Sequence, residues 1–460
     1  MNKNKSFLNN LLYAFGAQTI SLMSSLLMTL FVPRILGVEH FSFWQLFIFY
    51  SGYSGFFHLG LNDGIYLKIG GYNYKELDHS LLGSQFRLIM LFQAFITLLI
   101  VGSAYFLLAD LNRSFVLTTA ALYMLIFNAK GFLSFVLQGV NQIKIHAIAV
   151  MVDRVFFILA VLIGIIASVE SFKFLIYFFM LSKVLALIYC VYHTKEIFFA
   201  KQLNFALALK ETVLSIRIGI VLMIANIASL VILGSGRFII DNVWGLTTFG
   251  KISLSLSLVG FFLLFIRQIS MVLFPTLRQS SSEAQLKFYL RARNILSLGL
   301  PILFILYLPI SRLLVWWLPQ YTESFRYLIL LLPICLYDGK MQMLCMTYFK
   351  VLREEAFLLR INIITAVFSI VLGFVSAFVI REMSAVVISM VLSIAFRSVI
   401  SEIYLAKLMS QRVVKDLVQE SMIVVIFVLS AWHLEAFRAV AIILLGYIVY
   451  LVVNREKLKI

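Results

Sequence analysis

The sequence predicts an all-α polytopic membrane protein with about fourteen transmembrane helices. Three observations predict it. Hydrophobic residues make up 62% of the 460, against about 45–50% in soluble domains. Apolar stretches long enough to cross a bilayer follow one another from end to end. The connections between them are short, and none is large enough to fold as a soluble domain.

Taken in order, the expected spans are 11–33, 41–62, 86–108, 115–138, 147–168 and 174–193, then 218–236, 252–274, 295–317, 327–349, 357–380 and 385–407, and last 420–433 and 438–454. The first carries Gln18, Ser21, Ser25 and Thr29 at three- and four-residue steps, which puts them on one helical face. The second ends in Asn62, Asp63 and Gly64, a pattern that fits a helix terminus with glycine at its cap. Tyr123, Lys130 and Gln138 share a face of the fourth. The fifth holds adjacent Asp153 and Arg154, whose side chains point about 100° apart and need separate partners. Lys183 stands in the sixth with no acid within two turns of it. Ser253, Ser257, Gly260 and Arg267 line one side of the eighth span. Ser393, Arg397, Ser401 and Tyr404 do the same in the twelfth. The tenth, "PICLYDGKMQMLC", sets Pro333 and Gly339 around Asp338 and Lys340, which predicts a kinked or broken helix. The final two spans contain few polar groups and are expected to be peripheral.

Charge sets the orientation. The chain has 38 Lys and Arg against 21 Asp and Glu, a net +17. No basic run of any length lies outside the apolar segments, so the surplus is not a nucleic-acid footprint. Placing the N-terminus, the even-numbered connections and the tail in the cytoplasm gives that side roughly 22 basic residues against about 8. The inner set includes Lys195, Lys201, Lys210, Arg278, Lys287, Arg291 and Arg293. Both termini are therefore expected in the cytoplasm. The inner connections 194–217 and 275–293 are amphipathic and basic, suited to lie along anionic headgroups. Residues 1–10 run straight into an apolar span without a small-residue cleavage site, so no cleavable signal peptide is expected. Cys190, Cys335 and Cys345 all fall within spans and read as small buried hydrophobes.

The basic residues inside the spans carry the functional reading. Arg34, Lys130, Arg154, Lys183, Arg237, Arg267, Lys340 and Arg397 would together cost about 20 kcal/mol or more facing lipid. They are expected to face a wet or protein-lined interior, and an interior of fixed positive charge suits an anion. Arg offers such an anion forked hydrogen bonds and Lys a point charge. Asp63, Asp153 and Asp338 are the candidate counter-charges or coupling acids. No catalytic residue, metal ligand or cofactor is expected. "GLTTFGK" at 245–251 has phosphate-loop spacing, but Ile252 replaces the hydroxyl residue that would hold Mg²⁺. Zinc-binding His pairs, paired Cys motifs and nucleophile elbows do not occur.

The two halves follow one plan. Arg34 and Arg237 each stand at the outer end of an odd span, before a Gly- and aromatic-containing turn. The boundaries expected are 1–193 for a first six-helix lobe, 194–217 for an amphipathic linker, 218–407 for a second lobe, and 408–460 for two additional helices and the tail. Residues 33–68, "PRILGVEHFSFWQLFIFYSGYSGFFHLGLNDGIYLK", resemble the amino-terminal signature of bacterial oligosaccharide flippases. That group is the polysaccharide-exporting branch of the multidrug/oligosaccharidyl-lipid/polysaccharide exporter superfamily. Residues 236–279, "GRFIIDNVWGLTTFGKISLSLSLVGFFLLFIRQISMVLFPTLRQ", resemble the seventh and eighth spans of the same proteins. The resemblance implies two lobes of six helices around a central cavity and alternating access in the cytoplasmic (inner) membrane. It also implies a polyprenyl-diphosphate-linked oligosaccharide as cargo, for O-antigen, capsule or exopolysaccharide, and polysaccharide polymerase machinery as a partner. Many relatives carry an acid before the second-half Arg; this chain has Gly234, Ser235 and Gly236, so no coupling acid is assigned there. The alternatives are a peptidoglycan-precursor flippase and a multidrug or cation antiporter of the same superfamily. A glycan polymerase or ligase would need a large outside loop with catalytic groups, which this sequence lacks.

Overall fold

The structure, a computed structural model, describes residues 2–278, 280–455 and 457, with side chains except those of 2–11, 268–276 and 278. Gln279 lies outside the described residues, as does the side chain of Arg278, counted above on the inner side. The described residues are helical and hold no strand. Two compact units divide the chain, Met1–Ile227 and Ala228–Ile460.

Unit 1 contains α1 (Asn2–Leu30), α2 (Val32–Gly52), α3 (Leu61–Ile69), α4 (His79–Leu107), α5 (Leu111–Gly139), α6 (Ile143–Ile166), α7 (Phe172–His193) and α8 (Lys195–Phe198). The boundary falls inside α9 (Phe205–Trp244). Unit 2 continues with α10 (Leu246–Arg278), α11 (Ser282–Gly299), α12 (Ile302–Trp317), α13 (Thr322–Leu331), α14 (Pro333–Lys340), α15 (Thr347–Val351), α16 (Glu355–Phe374), α17 (Met383–Leu408), α18 (Val414–His433) and α19 (Ala436–Val453).

Among the described residues, ten helices are long and apolar enough to cross a membrane, or twelve spans if each bent pair counts as one. The fourteen expected spans shrink for two reasons. Spans 1 and 2 form a single pair, Leu12–Leu30 and Val32–His58, bent by 65°. The stretch expected at 420–433 belongs to α18, whose first turns carry Lys415, Asp416 and Glu420; it is not among the ten. The tenth span is broken near its proline: Pro319–Leu331 and Pro333–Val351 meet at 46°. A π-helical turn, Met341–Met346, follows Lys340 directly. Proline has no N–H to continue the ladder, which breaks the span at Pro333.

Local chemistry sets the ends. The Asp78 carboxylate accepts from the Leu81 amide at 2.9 Å to start α4, and Asp110 accepts from the Asn112 and Arg113 amides to start α5. Such caps satisfy amides that have no intrahelical partner. Gly37 and Gly245 adopt positive φ at corresponding places in the two halves, where α2 breaks and where α10 begins. The phosphate-loop look-alike at 245–251 is thus a tight turn running into an apolar helix. The expected amphipathic linker at 194–217 contains α8 and the start of α9. It is pinned to α4: Arg87 donates to the Ala200 carbonyl at 2.6 Å, and the Leu203 amide to Ser84 Oγ at 3.0 Å.

Unit 1 packs around an aromatic cluster. Trp44 and Phe47 from α2, Tyr123 from α5, Phe157 from α6 and Phe179 from α7 have ring centroids 5.1–6.0 Å apart. Edge-to-face and offset pairs of this kind add to burial. Elsewhere in the unit, α3 and α9 touch backbone to backbone. A Cβ at Gly64 would lie 1.8 Å from the Ser215 carbonyl oxygen, and one at Gly219 2.0 Å from that of Gly60.

Unit 2 is held by a buried chain of charges. Arg293 on α11 bonds Glu402 on α17 at 2.8 Å and Asp416 on α18 at 2.7 Å. Lys340 on α14 lies 2.6 Å from both Glu402 and Glu420. Glu420 also accepts from Ser297 Oγ, and Lys457 reaches Asp416 at 2.9 Å. Three cations meet three carboxylates, so the network is neutral and anchors α18 to the unit. Lys340 is therefore corrected here: expected in a cationic lumen, it is 1% exposed and spent on two glutamates. All three cysteines are buried and free.

Two predictions follow from this packing. Glu420→Leu leaves Lys340 with one carboxylate and should destabilise unit 2 by about 3–5 kcal/mol, read as a lower melting temperature in detergent. An unchanged melting temperature would remove the network's structural role. Gly64→Ala should cut the yield of folded protein by forcing α3 off α9. Gly102→Ala, where nothing lies within 4 Å of an added Cβ, should leave yield unchanged; equal behaviour of the two would contradict the close contact.

Candidate functional site: two cation-rich clusters

Asp153 organises the cluster of unit 1. Its α6 position faces α7, where the Lys183 ammonium donates to Oδ1 at 2.8 Å and to Oδ2 at 2.6 Å. Ser182 Oγ donates to the same carboxylate at 2.9 Å. The Lys183 ammonium also sits 4.4 Å from the Phe179 ring centroid, over the aromatic cluster described above. Lys130, on α5, approaches Oδ2 to 3.6 Å, outside hydrogen-bond range, and keeps 14% side-chain exposure. Arg154 follows Asp153 on α6, half-buried and turned from it, and its Nε is buried without a hydrogen-bond partner. Three cations thus gather about one carboxylate, a local surplus of two positive charges. Ser134 and His146, 2.5 Å apart, close the α5–α6 interface one turn beyond Lys130.

Asp338 does the equivalent work in unit 2. Arg397 on α17 donates through Nη2 to its Oδ1 and through Nη1 to Ser229 Oγ at 2.7 Å, with Asn362 Oδ1 at 3.5 Å. The Arg397 Nε is buried without a hydrogen-bond partner. Gln342, in the π-helical turn, donates to Asp338 Oδ2 and accepts from Arg267 Nε at 2.7 Å. Arg267 is exposed. Two arginines are therefore linked to one carboxylate, directly and through an amide, for a surplus of one.

The other expected residues stand apart from these clusters. Arg34 is exposed in the first turn of α2. Arg237 donates to Ser253 Oγ at 2.9 Å and lies 4.9 Å over the Phe249 ring. Asp63 lies 3.9 Å from His58 Nε2 in unit 1. Lys340 belongs to the neutral network of unit 2. Ser393 and Ser401 are buried beside Arg397 rather than lining open space.

Sequence reasoning missed Gln342, Asn362, Glu402 and Glu420, and it set Arg293 among headgroups where the structure buries it on Glu402 and Asp416. A signal for the two glutamates was present. An acid within or at the edge of an apolar span is expensive without a cation, and each marks a missing partner.

No family model matches the chain, and no curated protein matches it either. Solved structures do match. A multidrug resistance MATE family transporter of the MOP superfamily, inward-facing, aligns with TM-score 0.65 and 12% identity, covering 85% of this chain and 94% of that one. The lipid II flippase MurJ, inward closed, aligns at TM-score 0.60 and 11% identity over 98% of this chain and 100% of its own. A MOP superfamily transporter from Pyrococcus furiosus, described by the reversed polarity of its binding pocket, gives TM-score 0.52 at 12% identity, covering 87% and 94%. At such identities the likeness shows the fold: this multi-pass membrane protein has the fold of MOP-superfamily transporters and flippases.

Proposed function

We propose that the chain is a flippase that moves a polyprenyl-diphosphate-linked glycan across the cytoplasmic membrane by alternating access, with both termini in the cytoplasm. The observation that carries this reading is the surplus of cations at Asp153. Lys130, Arg154 and Lys183 share one carboxylate, and only Lys183 is within hydrogen-bond distance of it. A diphosphate diester brings about two negative charges, the size of that surplus. It would displace no existing hydrogen bond in docking on Lys130 and the Arg154 guanidinium. Arg397 and Arg267 offer a second cationic station in unit 2, held in place by Asp338 and Gln342. Lys183 then acts as a positioning residue that fixes Asp153, and Arg34 and Arg237 remain further candidates for the glycan's path. Asp153 and Asp338 serve as counter-charges that hold the cations while no substrate is bound.

The energetics need no nucleotide. At 100 mV, inside negative, each negative charge carried outward gains about 2.3 kcal/mol, so the diphosphate gains roughly 4–5 kcal/mol. Surface polysaccharide assembly, through a polymerase acting on the outer side, is the fitting destination. A peptidoglycan precursor has the same anchor and meets the same cations, and MurJ shares the fold. A cation antiporter is disfavoured by the sign of both clusters.

Lys130→Glu should abolish surface glycan while the protein still inserts at normal levels. Lys130→Gln, which removes one charge-assisted contact worth about 1.5–3 kcal/mol, should lower the flipping rate roughly 10–100-fold. Wild-type export by the charge-reversed protein would remove Lys130 from the site. In proteoliposomes, a potassium-diffusion potential of the inward-negative sign should accelerate flipping of the diphosphate-linked lipid. A rate indifferent to the potential would show that voltage does not drive the step.

A further inference from the structure

A groove in unit 2 is lined by none of the eight cations considered above. It has a volume of about 450 Å³ and is lined by residues of α11, by Ile302 at the start of α12, by Tyr447 and Leu451 of α19, and by Lys457. The α11 contribution is one stripe: Arg291, Asn294, Ile295 and Leu298 recur at steps of three and four, so they stack along a single face. The walls are built to stay apart. Tyr447 Oη donates to the Leu298 carbonyl at 2.8 Å, and Tyr450 Oη to that of Ser297 at 3.1 Å, which fixes α19 on α11 at the groove's floor. Asp416 holds the Lys457 ammonium at 2.9 Å, and that ammonium is buried, so Lys457 braces the groove while Arg291 stands exposed in it.

The groove is graded along its length. Arg291 supplies charge at one end, while Ile295, Leu298, Ile302 and Leu451 supply an apolar wall. Arg291, Ile295 and Ile302 are exposed. Arg291 belongs to a segment that the charge asymmetry assigns to the inner face, where anionic headgroups lie. We propose that this groove binds one anionic phospholipid of the inner leaflet, its phosphate on Arg291 and the upper part of an acyl chain against Ile295, Ile302 and Leu451. Charge complementarity selects the lipid: basic pockets between helices on the cytoplasmic side hold acidic headgroups, and a zwitterionic lipid gains less there. The site is separate from the proposed cargo site, so its lipid would be a resident of the protein and not a transported molecule.

Native mass spectrometry of the detergent-purified full chain, titrated with dioleoyl phosphatidylglycerol or dioleoyl phosphatidylcholine, tests this. The phosphatidylglycerol adduct should survive with about tenfold preference, and Arg291→Gln should erase that preference by removing a charged contact. Ile302→Trp, which fills the apolar end, should lower retention of phosphatidylglycerol while leaving Arg291 in place. Both side chains are exposed, and an unchanged size-exclusion profile confirms that each variant folds. Equal retention of the two lipids, or a preference unaltered in both variants, would overturn the proposal. Complete displacement of phosphatidylglycerol by inorganic phosphate would overturn it too, by showing a site for phosphate and not for lipid.

Discussion

A charge inside a bilayer must be matched, and that constraint explains most of what distinguishes this chain. A buried ion without a partner costs several kcal/mol after all relaxation, so its neighbours are decided by charge before they are decided by shape. The chain meets the constraint in two ways. In unit 2, Arg293, Lys340 and Lys457 are matched one for one by Glu402, Glu420 and Asp416. In unit 1, Asp153 stands alone among Lys130, Arg154 and Lys183. A balanced network holds helices together. An unbalanced one is stable only where water, lipid phosphate or substrate completes it, and that difference separates structure from function here.

Much of the fold was legible in the sequence because hydropathy and helix-breaking residues act locally. Pro333 shows the broken span, since the missing amide acts at that position whatever the tertiary context. The number of spans was less legible: α18 is apolar over most of its length, but its charged first turns belong to the network of unit 2. How the linker is pinned was not legible, because Arg87 and Ser84, which hold it, lie more than a hundred residues earlier.

The candidate site was legible in kind and not in pairing. Helical spacing tells which residues share a face, and it placed Lys130, Arg267 and Arg397 on polar stripes. It says nothing of the facing helix. Lys183 looked unpartnered because Asp153 is 30 residues away, and Lys340 looked available because Glu420 is 80 away. Both acids were present in the sequence, so a census of intramembrane acids against cations would have narrowed eight candidate cations to those in surplus. The same census separates Lys340 from Lys130, two lysines that spacing alone cannot tell apart.

The central claim is that the clusters at Asp153 and Asp338 receive an anion. It is tested most directly by titrating the purified protein with a short-chain prenyl diphosphate and, in parallel, with a lipophilic cationic dye, following thermal stability. The account predicts a saturable rise in melting temperature with the diphosphate, abolished in a Lys130→Gln/Arg397→Gln double variant, and no effect of the dye. Stabilisation by the cation with none from the diphosphate would contradict it.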